Sequence, residues 1–304
     1  MKLAPIIIFS YNRPEHLYKT VKALQQNQFA NQSDLFVFSD GFKGEADKPL
    51  VEKVRYFLRT INTFKSVTII ERKKNYGLAV NIIDGVKQII DQYGKAIVLE
   101  DDLVTSPFFL KFMNEALEVY EKNEDVLSIH GYIYPVKRKM PDTFFLIDPG
   151  SLGWATWKNR WDLYEPDGTK LLTELRQKKL TTVFDYDSTY PFTKMLINQT
   201  EGKNSSWVIR WYAYALLNKK LTLYPGKSLV FHIGNDGSGT HEGKSGILDV
   251  KLSTDPIPVL EQKIVIDKKA REAFKDFFRS IRGNFFNRTV RKLRKIMAYA
   301  ISKS

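Results

Sequence analysis

Cysteine is absent from the 304 residues, which excludes disulfides, catalytic thiolates and cysteine-ligated zinc. No stretch approaches the roughly 20 consecutive apolar residues that a membrane-spanning helix requires. Residues 1–10 enter a strand-like pattern at once and lack the long apolar core of a signal peptide. We therefore expect a cytoplasmic protein that can contact the inner face of the cell membrane.

A glycine-rich phosphate loop is also missing, because Ser10 to Pro14, directly after the first apolar run, contain no glycine. This argues against an NAD-binding Rossmann domain and against a P-loop. If the chain binds phosphates, a metal ion and arginine side chains have to hold them.

The formal charge of +13 is concentrated at one end of the chain. Residues 263–304 carry 13 Lys and Arg against three acids, which is +10 and leaves +3 for the rest. A nearly neutral body gains little support for nucleic-acid binding from the charge, so we expect no nucleic-acid partner.

Short apolar runs alternate with amphipathic helical patterns through the first 130 residues. The runs predict buried strands, and their alternation with helices predicts a largely parallel sheet covered on both faces. The predicted strands are Pro5 to Ser10, Leu35 to Phe38, Val67 to Ile70, Ala96 to Leu103 and Val126 to Ile129.

The fourth run reads A-I-V-L-E-D-D-L and ends in Glu100, Asp101 and Asp102. Ligands of open α/β sheets bind beyond the carboxyl ends of the strands, and hard divalent cations prefer oxygen ligands and leave room for substrate phosphates. One interpretation is a metal–diphosphate site. The alternative is an acidic first turn of the helix that begins near Pro107.

The sequence pattern changes beyond Tyr132. All five tryptophans lie between Trp154 and Trp211, where they can form a packed core or a stacking floor for a sugar or base. Residues 230–242 read V-F-H-I-G-N-D-G-S-G-T-H-E, a pattern that favours a mobile lid or a metal-facing loop.

Taken in order, these motifs resemble those of GT-A-fold glycosyltransferases. They are the Asn-Arg turn after strand one, S-D-G after strand two, N-Y-G-L-A-V-N before a helix, E-D-D-L-x-x-S-P-x-F, and P-G-S-L-G-W-A-T-W. They are closest to bacterial family-2-like sugar transferases and the N-acetylglucosaminyltransferase I type. The resemblance covers residues 5 to about 242 and implies an α/β GT-A fold with a Rossmann-like mixed sheet.

The resemblance also implies a metal-dependent transfer of sugar from a nucleotide-sugar donor, with UDP the expected carrier, to a hydroxyl of a glycan or lipid-linked acceptor. The cofactor would be Mn²⁺ or Mg²⁺, and the product a cell-surface polysaccharide. Its implied metal ligands are Asp102 and His241. Its implied donor-binding residues are Ser10, Asn12, Arg13, Asp40, Asn75, Gly77, Asn81, Glu100 and Asp101, with Asp40 facing the base and Arg13 the diphosphate.

The catalytic base is where the chain departs from the family pattern. An inverting transfer needs a carboxylate near the acceptor hydroxyl, but Ser205 and Ser206 stand where relatives would offer an acid before a tryptophan. Asp236 in the glycine-rich loop is the candidate that we retain, with Glu242 the other nearby acid.

Domain organisation follows from these patterns. We predict a GT-A-like domain over residues 1–262, divided into a nucleotide-binding half (1–131) and an acceptor half (132–262), and a basic helical tail over 263–304. The tail places apolar residues on one face among basic ones, so residues 267–301 can contact an anionic membrane or cap the catalytic domain. The alternatives to a glycosyltransferase are a nucleotidyltransferase that makes the activated sugar, and a non-catalytic protein that binds a membrane or nucleic acid through this tail.

Overall fold

The computed structural model describes residues 1–234, 236 and 246–282. Predicted site residue His241 and residue Glu242 lie outside this range, as does the second half of the predicted tail. The strands of the described part are β1 (Ile6–Ser10), β2 (Asp34–Ser39), β3 (Ser66–Glu71), β4 (Lys95–Glu100), β5 (Leu103–Thr105), β6 (Val126–His130), β7 (Thr143–Leu146), β8 (Trp154–Trp157), β9 (Leu221–Pro225) and β10 (Val230–His232).

Helices separate most of these strands, as the sequence pattern predicts. The helix α3 lies between two glycines with positive φ, Gly77 (73°) and Gly94 (80°), a conformation that glycine adopts without steric cost. The helices are α1 (Pro14–Gln25), α2 (Lys48–Leu58), α3 (Leu78–Tyr93), α4 (Phe109–Val119), α5 (Lys158–Trp161), α6 (Gly168–Gln177), α7 (Thr181–Phe184), α8 (Phe192–Thr200), α9 (Val208–Leu217) and α10 (268–282).

Eight strands form one mixed sheet in the order β3-β2-β1-β4-β8-β6-β9-β7. β1 is parallel to β2 and β4, whereas β8 is antiparallel to both β4 and β6, and β6 is parallel to β9. β1, β2, β4, β6 and β9 therefore all end at one edge. The predicted α/β class with a mixed sheet is confirmed.

Both faces of this sheet are covered, which explains why its strands are apolar at consecutive positions. Along β1, Ile6 and Ile8 pack with the helices α1, α2 and α4. Ile7 and Phe9 point to the opposite face and pack with α3 and α9. The period of two along a strand distributes one apolar run between two cores.

The tryptophans belong to the core. Each of the five is at most 3% exposed, and the rings of Trp154, Trp161 and Trp211 lie with centroids 4.9–5.4 Å apart. Rings so fully buried leave no face for a sugar or base. The packing interpretation is therefore the better one.

The first part of the predicted tail is a helix that packs on the body. In α10, Ala270, Phe274 and Phe278 are buried in the core cluster that also contains residues of α6 and α9. Of the two interpretations of the tail, capping of the body therefore applies over 268–282, where the apolar face is occupied by protein and is not available to a membrane. Residues 283–301 are outside the described part, and the boundary at 262 stays a prediction.

Within the described residues, no helix combines the length and apolar character needed to cross a bilayer.

Candidate functional site

A cavity of about 540 Å³ opens at the carboxyl edge of β1, β2 and β4. It collects side chains from five separate stretches of sequence. The parallel pairing of these strands and the antiparallel pairing of β10 with β5 bring them together. Its lining includes all nine predicted donor-binding residues and the predicted metal ligand Asp102. The further lining residues, which the sequence analysis did not single out, are Phe9, Tyr11, Lys43, Asp47, Leu78, His232 and Gly234.

The acidic group occupies the turn between β4 and β5. Asp101 and Asp102 are 3% and 5% exposed, so their charges need partners. Arg13, in the turn after β1, provides one: its Nη2 lies 2.5 Å from Asp101 Oδ1 and 2.9 Å from Asp102 Oδ2. The backbone N–H of Tyr11 also donates to Asp101 Oδ2 at 3.2 Å.

His232 completes this cluster from the end of β10. Its Nε2 lies 3.1 Å from Asp102 Oδ2, and its buried Nδ1 has no hydrogen-bond partner among the described residues. β10 reaches this position because it pairs antiparallel with β5, which directly follows the acids, with His232 opposite Leu103. The sequence analysis assigned the metal to His241, and the strand-like V-F-H was the available signal for His232.

The surroundings of Glu100, Asp101 and Asp102 raise the pKa of the first two and lower that of the third. Burial, and then the charges of Asp102 and Asp101, raise the pKa of Glu100 to about 8. Burial also raises the pKa of Asp101 to about 6, although Arg13 opposes this. For Asp102 burial acts in the same direction, but the contacts with His232 and Arg13 outweigh it and hold the pKa below its ordinary value. Asp102 is therefore the member of the group that stays ionised to the lowest pH.

Asp40 links two stretches of the cavity lining, the turn after β2 and residues 75–77, through hydrogen bonds. Its Oδ1 accepts from the N–H groups of Gly41 (2.9 Å) and Tyr76 (2.8 Å), and its Oδ2 accepts from Gly77 (3.0 Å). A carboxylate has about four acceptor positions, so three are used within the protein. Asn75 adds a bond from its Nδ2 to the Gly41 carbonyl at 2.7 Å. The turn-forming role that Asp40 has here fits its position before Gly41.

Asn81 and Ser10 differ in how far their polar atoms are satisfied. Asn81 Oδ1 accepts from Arg72 Nε at 3.0 Å, and this arginine lies over the rings of Phe38 and Tyr76. Ser10 is 4% exposed, and its Oγ has no partner among the described residues. Ser10 thus presents a free buried hydroxyl to the cavity, as a ligand-binding group would.

Asn12 belongs to a third polar group, which is centred on Asp47. Tyr11 donates its hydroxyl to Asp47 Oδ2 at 2.6 Å, and Asn12 Nδ2 donates to Asp47 Oδ1 at 3.2 Å. Burial, and then the bond to Asp47, raise the pKa of Tyr11 to about 12. Asp47 is therefore a further carboxylate in the cavity lining, in addition to Asp40 and the three acids at the end of β4.

Asp236, the predicted base, lies outside the cavity lining of the described residues. Its Oδ2 is 3.1 Å from His16 Nε2, and its side chain is 48% exposed. The structure thus brings together the predicted donor residues and Asp102, with His232 near Asp102, but the predicted base Asp236 does not line the same cavity.

No protein-family model matches the chain, and no curated protein matches it either. Among solved structures, TarS 1–349 of S. aureus is 12% identical, with a TM-score of 0.41, over 76% of this chain and 60% of that one. The same TarS fragment in complex with UDP-GlcNAc is 17% identical, with a TM-score of 0.32, over 46% of this chain and 37% of that one.

The mannosyltransferase PcManGT from Pyrobaculum calidifontis, in complex with GDP-Man and Mn²⁺, is 11% identical, with a TM-score of 0.37, over 71% of this chain and 74% of that one. The chain spans 60% of the TarS 1–349 fragment, which is less than two thirds of its length. These similarities are remote, and the interpretation of the site depends on its own geometry.

Proposed function

We propose that the chain is a metal-dependent glycosyltransferase that uses a nucleoside-diphosphate sugar, with UDP the favoured carrier. The observation that carries the proposal is the single cavity at the ends of β1, β2 and β4, where Arg13, Asp101, Asp102 and His232 meet. A cation next to an anionic cluster is the arrangement that a diphosphate and its metal require.

The residues present fit a divalent ion. Within the described part of the chain, no group of three or more His, Asp or Glu side chains forms a metal site. Mg²⁺ and similar ions, however, are often held by one or two carboxylates together with substrate phosphates. Asp102 and His232 would hold the ion, and it would supply charge stabilisation to the departing nucleoside diphosphate.

The chain's own residues then have separate roles. Arg13 is free to exchange a carboxylate for a phosphate oxygen, since guanidinium binds both in the same way. Ser10, Asn75 and Gly77 contact the nucleoside, and Glu100 and Asp101 face the ribose and the transferred sugar. His241, which lies outside the described residues, stays our predicted second metal ligand beside Asp102.

Asp236 remains our candidate for the base that accepts the proton of the acceptor hydroxyl. It is two residues beyond Gly234, which lines the cavity, and its pairing with His16 keeps it near α1. Asp236→Asn should lower turnover while leaving nucleotide affinity within about twofold, because the base acts only in the chemical step. An equal loss of nucleotide binding would contradict this role.

The acceptor is a hydroxyl of a glycan or of a lipid-linked sugar in the synthesis of a cell-surface polysaccharide. For a lipid-linked acceptor the reaction takes place at the inner face of the membrane. The basic residues between 283 and 301 would then provide the membrane contact, since the apolar face of 268–282 is covered.

The test is calorimetric titration with UDP, GDP, CDP and ADP, each with and without Mn²⁺. The natural protein should bind one nucleotide in a metal-dependent way, and Asp102→Ala should lose that binding. Asp125→Ala is the matched control, because Asp125 is an exposed acid that pairs with Lys220. If the folded natural protein binds none of the four nucleotides, the glycosyltransferase proposal is wrong.

A further inference from the structure

A second cavity, of about 500 Å³, lies at the carboxyl ends of β6 and β9. Three segments line it: 133–140 after β6, 226–228 after β9, and 249–254. None of the residues assigned above to the donor or the metal belongs to it. It is a separate feature of the fold that needs its own explanation.

The two cavities open along the same edge of the sheet. β6 and β4 both pair antiparallel with β8, so they run in the same direction and end at the same edge. Residues 226–234 connect the cavities directly, since Ser228 lines the second and His232 the first. Four extended residues span about 13 Å, which bounds the distance between these two lining residues.

The walls of the second cavity are anchored. Ser253 N–H donates to the Ser228 carbonyl at 2.8 Å, and Ser106 Oγ donates to the Ser253 carbonyl at 2.7 Å. Gly226 N–H donates to the Asp142 carbonyl at 2.7 Å. These hydrogen bonds tie the segments 226–228 and 249–254 to each other and to the body. The cavity is therefore formed before any ligand arrives, as is usual for binding sites.

The lining is apolar with a cationic rim. Ile133, Tyr134, Val136, Met140 and Leu252 supply apolar surface, and Tyr134 is fixed by ring contacts with Phe274 and Phe277 at 5.0–5.1 Å. Three cationic side chains line the same cavity against a single acid. They are Arg138, Lys227 and Lys251, and the acid is Asp249.

Two of these cations are free to meet a ligand. Arg138 is committed to Asp276, with Nη2 2.6 Å from Oδ2. Neither Lys227 nor Lys251 has an ion pair with any acid of the described residues. Exposed lysines beside an apolar pocket attract anionic groups without an internal competitor.

We propose that this cavity binds an anionic oligosaccharide and that it holds the acceptor of the proposed transferase. The C–H faces of the sugar rings pack on Tyr134 and the aliphatic wall, as sugars do on apolar and aromatic surface. The carboxylate or phosphate substituents pair with Lys227 and Lys251. This assignment rests on the proposed function, which requires an acceptor whose end reaches the first cavity.

The experiment measures binding of three oligomers to the full chain at low salt. The probes are an oligogalacturonate, a short poly(glycerol phosphate) and the neutral maltohexaose. The natural protein should bind at least one anionic probe, more weakly as salt is added, and bind maltohexaose much more weakly. Which anionic probe binds identifies the substituent as carboxylate or phosphate.

Charge-reversal variants test whether the anionic probes bind at this cavity. Lys227→Glu with Lys251→Glu should weaken anionic-probe binding by roughly tenfold or more, since two attractive charges become repulsive. Lys19→Glu with Lys53→Glu is the matched control: it changes net charge equally on α1 and α2, away from the cavity lining. Equal weakening by both pairs, no binding of either anionic probe, or equal binding of maltohexaose would overturn the assignment.

Asp102→Ala separates this inference from the proposed function. It should lose metal-dependent nucleotide binding and keep the anionic probe. If the natural protein binds the anionic probe through Lys227 and Lys251 but binds no nucleotide, the cavity assignment is supported as a glycan site and the transferase proposal fails.

Discussion

The hydroxyl of Thr20 is hydrogen-bonded at two points of the acidic turn, to the Asp101 carbonyl and to the backbone N–H of Leu103, the residue that follows the acids. Its Oγ1 donates to Asp101 O at 2.8 Å and accepts from the Leu103 N–H at 3.1 Å. Thr20 is completely buried on α1. The helix that follows β1 therefore sets the conformation of the turn that presents Asp101 and Asp102 to the cavity.

Removal of this hydroxyl should damage both the fold and the site. Thr20→Val keeps the shape but leaves a buried N–H and a buried C=O unpaired, which costs about 1–3 kcal/mol in the free energy of unfolding. Metal-dependent nucleotide binding should weaken as the turn loses its support. Urea unfolding and calorimetric titration measure the two effects.

Thr20→Ser is the control for this prediction, because it retains the hydroxyl and removes only a methyl group. It should bind nucleotide nearly as well as the natural protein. If Thr20→Val and Thr20→Ser bind equally, the hydroxyl has no part in positioning the acids.

Asp40→Asn distinguishes a structural carboxylate from one that reads the base. Asparagine replaces one acceptor oxygen with an NH₂ group, which must then face the N–H of Gly77 or those of Gly41 and Tyr76. Because the wall itself is disturbed, we expect affinity for every nucleotide that the protein binds to fall by a similar factor. Titration with the four nucleoside diphosphates checks this.

A change confined to one base would point the other way. If Asp40→Asn weakens only the preferred nucleotide, or changes which one is preferred, then Asp40 contacts the base directly. The geometry favours the first result, since three of its acceptor positions are already occupied within the protein.

Much of the first half of the fold follows from local sequence, because each signal there is contiguous. The run I-I-I-F-S and the run A-I-V-L-E are apolar at consecutive positions since β1 and β4 are buried on both faces. The residues after them could therefore be placed at one sheet edge. That reasoning brings Arg13, Asp40 and Asp101 to one cavity.

The features that local patterns did not reveal depend on pairing between distant segments. β8 inserts antiparallel between β4 and β6, yet G-W-A-T-W suggests aromatic packing near turns more than a central strand. His232 reaches Asp102 only because β10 pairs with β5, over 120 residues away in sequence. Thr20 lies on an ordinary amphipathic helix, and nothing in its neighbours marks it as a contact of the acidic turn.

Asp148 should make stability depend on pH in an identifiable way. Burial raises the pKa of its carboxyl from 3.8 to about 6, although Tyr186 and Tyr224 donate hydrogen bonds to it. The folded state thus holds this proton more tightly than the unfolded state. The stabilisation is complete below about pH 4 and is lost as pH rises to about 6, a change of up to about 3 kcal/mol.

Asp148→Asn removes this titration while keeping an acceptor for the tyrosines. The difference between the unfolding free energies of the natural protein and the variant, measured in urea from pH 4 to 7, should fall with rising pH and level off above about pH 6. His130, whose pKa burial lowers to about 3, is present in both proteins, so its opposite slope largely cancels in the difference. Parallel profiles would show that Asp148 does not titrate in this range.

Gly234 packs against the proposed metal ligands closely enough that a single methyl group should disrupt them. A Cβ at this position would lie 2.4 Å from Asp102 Oδ2 and 2.8 Å from His232 Nε2, closer than non-bonded atoms approach. Gly234→Ala should therefore displace one of the two side chains and weaken Mn²⁺-dependent nucleotide binding at least tenfold, about 1.4 kcal/mol or more.

Gly44→Ala is the matched control, since a Cβ there meets nothing within 4 Å. Calorimetric titration of both variants measures the effect, and urea unfolding checks that each is folded. Unchanged binding by a folded Gly234→Ala would mean that Asp102 and His232 need not keep their present arrangement, and the metal would then have to be assigned to other ligands.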